Sequence, residues 1–241
     1  MRDSTQPAGL AAEAYIVVRH RILSGTIGLG QVISRRKIAT ELRMSFLPVS
    51  EALLRLEVEG LLESRPRAGT RVRIPSPEDV QGHYVVREAL EVQAAIRYSD
   101  VATPTEREEL KKLAVRVDEL GMQADRALYQ SVHIKLHNRI AQDARCPALL
   151  SAIDRTHALA SIWYCTMRQP QPSDPRSRHQ DLAEALCGGS ALQAADAVRQ
   201  HLAVARERSL EVLQPYFKLR RTTGMTFPRS DQRPRLAVPM H

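Results

Sequence analysis

Apolar positions recur at helical spacing from early in the chain. Between Ala11 and Ser24 they fall at Ala14, Tyr15, Val18, Ile22 and Leu23, and SGTIGLG then breaks the pattern, which predicts one helix and a turn. Ser34 is suited to cap a second helix running to about Leu42, and Ser45 a third running to about Glu59. Pro48 falls in the first turn of that third helix, where its missing N–H costs little. After Gly60 the period shortens. LLESR, a turn at PRAG, and TRVRI, in which Val72 and Ile74 alternate with arginines, predict a small hairpin. Three helices and a basic hairpin are the layout of a winged helix-turn-helix, whose third helix enters a major groove while the wing lies near the nucleic-acid backbone.

Pro75-Ser76-Pro77 stiffens the chain and marks the expected end of this first domain, residues 1–75. Helical periodicity then continues, with helices expected near 77–101, 104–121, 125–143, 146–167, 174–187 and 190–219. Their breaks, TPTE, the GMQAD region, DARCP, RQPQPSDP and CGGS, carry turn or capping chemistry. No strand pattern interrupts them. The fold class is therefore mainly α, a winged helix-turn-helix followed by an all-α antiparallel bundle over 76–219. Residues 220–241 are basic, contain prolines and lack periodic apolar positions, so a disordered tail is expected.

Charge sharpens this division. Residues 1–77 hold 12 Lys/Arg against 7 Asp/Glu, residues 78–217 hold 17 against 19, and residues 218–241 hold 6 against 1. A basic head on a nearly neutral body points to a polyanionic partner for the head and another task for the body. Cys146, Cys165 and Cys187 are odd in number and form no CxxC pair, as in reduced structural thiols rather than a disulfide framework. No long apolar stretch and no basic-then-apolar leader is present, so a soluble cytoplasmic protein that does not engage a membrane is expected.

Four of the eight histidines have informative spacing. His133 and His137 are four apart, which puts both rings on one helix face. His179 and His201 flank the CGGS turn at similar distances, so antiparallel helices bring them to nearly the same depth. If the helix carrying the first pair packs against the second, four imidazoles converge. Such a donor set suits zinc or nickel better than calcium or magnesium. The alternative is that these are ordinary helical histidines. His20, His83, His157 and His241 lack comparable spacing.

The stretch from Tyr15 to Val72, with ILSGTIGLGQVIS and RRKIATELRMSFLPVSEALLRLEVEGLLESRPRAGTRV, resembles the DNA-binding domain of the GntR family of bacterial regulators. The helical remainder is similar to the ligand-binding domain of the FadR subgroup, in the version called FCD. VVREALEVQAA, HIKLHNRIAQDARCPALL and HQDLAEALCGGSALQAADAVRQHL carry this match. The resemblance implies arginines at two positions of the recognition helix that are here Phe46 and Ser50, neither of which supplies a two-pronged donor. It also implies a metal held by an aspartate and three histidines. His133 stands at the aspartate position, and His137, His179 and His201 match the rest. Arg87 matches an arginine facing the effector pocket, where a guanidinium can take a carboxylate through two hydrogen bonds. Its alternative role is an intrahelical pair with Glu91.

The expected function is a ligand-responsive transcription regulator. Its DNA contacts are expected among Arg35, Arg36, Lys37, Arg43, Ser45, Phe46, Pro48, Ser50, Arg65, Arg67 and Arg71. A homodimer on a double-stranded operator and a small organic acid bound in the body complete this expectation. One rival is a metal- or metabolite-binding protein with weak or lost DNA binding. Another is a metal-dependent hydrolase, but HIKLH lacks the glutamate of HExxH, and four protein ligands leave no open position on a tetrahedral metal.

Overall fold

The computed structural model describes residues 7–65, 69–123, 125–165 and 178–222. The head comprises α1 (Pro7–Leu23), β1 (Val32–Ile33), α2 (Arg35–Leu42), α3 (Phe46–Val58), β2 (Leu62–Arg65) and β3 (Gly69–Val72). The stripe Ala14, Val18 and Ile22 of α1 packs fully buried with Val49, Ala52, Leu53 and Leu56 of α3. Each large aliphatic side chain so covered contributes about 1.5–3 kcal/mol. Ser34 caps α2 by accepting a hydrogen bond from the backbone N–H of Lys37. Ser45 stands at the cap position of α3 but makes no side-chain cap bond.

The expected hairpin is present as β2 and β3, and the sheet has a further strand that periodicity does not reveal. β1 pairs antiparallel with β3, Val32 opposite Arg71 and Ile33 opposite Thr70, giving the order β1-β3-β2. Two residues are too short to display a period of two.

The body begins with α4 (Pro77–Val101), followed by α5 (Pro104–Gly121), α6 (Arg126–Asp143), α7 (Pro147–Cys165), α8 (His179–Gly188), α9 (Ala191–Val212) and α10 (Gln214–Thr222). Proline in the first turn and a reciprocal capping box, Ser76 with Asp79 and Thr103 with Glu106, fix the starts of α4 and α5. The single helix expected over 190–219 is two, because Pro215 cannot donate to the carbonyl one turn back and the helix breaks at Leu213. α4 packs along α9, where the Tyr84 hydroxyl lies 2.8 Å from Ser209 Oγ and donates to the Ala205 carbonyl at 3.0 Å. The expected helical residues 166–167 and 174–177 lie outside the described residues, as does most of the expected tail, 223–241. Among the described residues no helix is long and apolar enough to cross a membrane.

Candidate metal centre and nucleic-acid face

Helices α4 to α9 all contribute to one polar cluster in the body. α6 supplies His133 and His137, α8 begins on His179, and α9 supplies His201. The turn between α8 and α9 sets the depth of the last two. A Cβ at Gly189 would lie 2.5 Å from the Ala185 carbonyl oxygen, so the chain turns this tightly only with glycine, and Ser190 then caps α9 in a box with Gln193. The four imidazoles converge, with ligating nitrogens within 4.8 Å of one another. His137 Nε2 lies 3.3 Å from His133 Nε2. His137, His179 and His201 are buried and His133 is half-buried.

The outer nitrogens of two of these rings are held by carboxylates. His179 Nδ1 lies 2.8 Å from Asp118 Oδ1 of α5. Asp118 also accepts the backbone N–H groups of His179 and Gln180, capping α8 from a neighbouring helix where Arg178 makes no side-chain cap bond. His137 Nδ1 lies 3.4 Å from Glu91 Oε2 of α4. Glu91 further accepts from Arg87 Nε at 2.6 Å and meets His157 Nε2 of α7 at 3.2 Å, while His157 Nδ1 lies 3.1 Å from Asn138 Oδ1. Nδ1–H on His137 and His179 leaves each Nε2 with a lone pair directed among the four rings. His179 Nε2 is shut from solvent and has no hydrogen-bond partner.

Burial, reinforced by the neighbouring imidazoles, holds His133 and His201 well below the ordinary histidine range. Burial also brings His137 down to about 4, outweighing the pull of Glu91 in the other direction. Burial alone would raise Glu91, but Arg87 and His157 overcome it and keep the carboxylate ionised. Burial opposes ionisation of Asp118 too, and the hydrogen bonds from His179 and Gln180 outweigh it. Imidazoles, two of them oriented by anions and all converging on an unsatisfied buried nitrogen, form a cluster that can hold a metal ion.

The spacing argument found the quartet and missed Glu91, Asp118 and His157. Glu91 entered only as the alternative partner of Arg87. The structure makes that intrahelical pair and also places Arg87 beside His133 and His137 on a small cavity.

In the head, Phe46 and Leu47 stand at the start of α3 with 52% and 64% of their surface exposed, and Leu47 carried no sequence signal. Pro48, expected on the contact face, is buried, because the helix turns its ring toward the core. The Ser50 hydroxyl donates to the Phe46 carbonyl at 2.9 Å. Arg36, Lys37 and Arg43 are exposed, and Arg43 occupies the left-handed turn between α2 and α3 at φ 54°. Arg35 reaches Thr70 of β3 at 3.4 Å, and Arg71 pairs with Glu63 at 2.8 Å. Arg65 is half-buried at the end of β2, and Arg67 lies outside the described residues.

Residues 10–72 match "Bacterial regulatory proteins, gntR family", and residues 83–204, half of the chain, match "FCD domain". An HTH-type transcriptional regulator of Agrobacterium vitis, from the TAR-I ttuE-ttuC' intergenic region, is 35% identical over 106 residues, 44% of this chain and 62% of that protein. The "Probable D-xylose utilization operon transcriptional repressor" of Paenarthrobacter nicotinovorans is 28% identical over 183 residues, 76% of this chain and 80% of its own. Among solved structures, a GntR transcriptional regulator from Rhodococcus sp. RHA1 superposes with a TM-score of 0.71 at 20% identity, covering 83% of this chain and 97% of the other. The chain belongs to the GntR family of bacterial regulatory proteins, in the FadR subfamily with an FCD domain, and it is a DNA-binding transcription regulator, not an enzyme.

Proposed function

We propose that this regulator is a metal-containing sensor, with domains at 1–75 and 76–219, whose operator binding responds to a small carboxylate held in the body. The observation that carries the reading is the buried quartet His133, His137, His179 and His201, with His137 and His179 oriented by Glu91 and Asp118. Zinc or nickel suits four imidazole nitrogens. Four imidazoles saturate a tetrahedral ion, so a carboxylate joins the sphere only where the metal expands to five or six ligands, as nickel does readily. Arg87, on the cavity shared with His133 and His137, is positioned to take part in carboxylate binding.

On DNA, a homodimer sets two α3 helices in successive major grooves. Phe46 and Leu47 favour apolar contact with thymine methyls over guanine reading. Lys37, Arg36 and Arg43 supply phosphate contacts, joined by Arg65, Arg67 and Arg71 near the wing. Repression, as in the name of the Paenarthrobacter relative, is the expected output.

Elemental analysis after loading with zinc or nickel tests the centre, with a single ion per chain expected and none in a His179→Ala variant. Gel retardation on DNA from the protein's own promoter region tests the head. Retardation at low salt that changes with metal and added carboxylates supports the reading; metal-free protein or no retardation at low salt overturns the corresponding half.

A further inference from the structure

The break at Leu213 redirects the end of the chain. α9 passes Tyr84 of α4 at Ala205 and Ser209, and α10 then continues past the start of α4 to the joint between head and body. There the Arg220 guanidinium donates to the Ile74 carbonyl at 3.0 Å and meets Asp79 at 3.2 Å. Leu213 and Phe217, both buried, hold this end of the chain against the core.

The fastening point borders a cleft of about 340 Å³ between the two domains, which Asp79 and Pro75 help to line. Leu61 comes from the head, Gly82, His83 and Val86 share one face of α4, and Leu159 and Trp163 come from α7. The walls are incomplete. Val86 is half exposed, and a Cβ at Gly82 would meet nothing within 4 Å. His83 Nε2 is buried and has no hydrogen-bond partner among the described residues. The charges at the border are already engaged, since Arg73 and Arg220 both meet Asp79 and Glu78 also faces Arg220. Such walls suit a neutral, largely apolar occupant that brings hydrogen-bonding groups of its own.

The chain itself supplies one. Residues 223–228, Thr-Gly-Met-Thr-Phe-Pro, follow α10 directly, lie outside the described residues and carry no charge, which resumes only at Arg229. From Thr222 to Phe227 an extended chain spans up to about 17 Å, so Phe227 can reach the cleft from the end of α10. Residues 166–177, which follow α7, suit it less: they hold Arg168, Asp174 and Arg176, and Met167 is their single large apolar side chain. Tethering beside the cleft gives the segment an effective concentration of about a millimolar, so even a weak contact stays made.

We propose that residues 223–228 fold back into the head–body cleft as a strap, with Phe227 against Val86 and Trp163. A strap there touches both domains and favours the head placement that keeps both walls in contact with it. Its release is an input to the head separate from the metal centre, whose neighbouring cavities share no lining residue with the cleft.

Trp163 is the single tryptophan of the chain, so its fluorescence reports on this cleft. Acrylamide quenching is compared between the full-length protein and a chain ending at Thr222. The shortened chain should be quenched more strongly, Phe227→Ala in the full chain should reproduce most of that change, and Phe227→Leu should not. A synthetic peptide of residues 223–232 should restore protection to the shortened chain, with affinity about tenfold lower when the peptide carries Phe227→Ala. Val86→Asp should act as the truncation does and add nothing to it, and metal removal should change neither. Quenching that is the same with and without the segment, peptide protection that survives Phe227→Ala, or protection that grows with protein concentration, as when a second copy supplies the segment, would overturn the proposal.

Discussion

On the head, Lys37 of α2 and Phe46 and Leu47 at the start of α3 project from the surface, all more than half exposed. In the body, His137, His179 and His201 and the orienting anions Glu91 and Asp118 are almost wholly enclosed, and each anion holds more than one partner. An exposed contact side chain changes one interaction when it is replaced. An enclosed one changes several, because each neighbour loses a partner that water cannot replace. The head is thus a surface that can be altered residue by residue, and the body site a unit that responds as a whole.

The largest expected effect tests that unity. Glu91→Gln removes the charge that faces Arg87, His137 and His157, and takes from the Arg87 guanidinium, 3% exposed, the carboxylate that it meets at 2.6 Å. Breaking a buried pair in this way costs about 3–5 kcal/mol. Thermal unfolding should register roughly 6–20 °C for a domain of this size. The double change Arg87→Met with Glu91→Leu should recover most of the loss, since an apolar pair leaves no unpaired charge. Equal losses in the single and double variants would mean that shape, not charge, holds this region.

A smaller effect separates orientation from stability. Asp118→Asn leaves one acceptor oxygen where the carboxylate gave two, so it can keep the His179 contacts or the Gln180 N–H but not both, and it removes the charge that faces His179 Nδ1. Metal affinity should fall about 10–100-fold, as for other partners that orient a metal-bound imidazole. Competition against a chromophoric chelator measures it, and the metal-free variant should bind DNA as the parent does. An unchanged affinity would break the contrast between the domains, because the enclosed anion would then be as dispensable as a surface charge.

The same contrast governs what could be read in the chain. The starts of α4 and α5 were legible because Ser76-Pro77 and Thr103-Pro104 write their caps locally. The quartet was legible because helical rise converts spacing around the tight turn at Gly189 into depth. Asp118 and Glu91 were not legible as orienting anions, since they meet His179 and His157 across 61 and 66 residues of chain, and that choice belongs to helix packing. The break at Leu213 was missed because apolar periodicity runs on through Pro215, and Pro48 was misplaced because its position in the first turn does not reveal which face is buried.

The smallest expected effect lies at Lys37. Its side chain is 78% exposed, and its nearest carboxylate, Glu41, is 3.9 Å away in a solvent-screened pair. Removing it should leave folding within about 0.5 kcal/mol of the parent. If the ammonium meets a phosphate, Lys37→Ala lowers the slope of log affinity against log salt by about 1 and weakens all sequences alike. Phe46→Ala should do the reverse, leaving the slope in place while altering preference at thymine-containing positions. Binding measured from low to moderate salt on two operator variants distinguishes the pair. A Lys37→Ala protein that changes sequence preference without changing the slope would make this lysine a base reader and shift the reading surface from α3 toward α2.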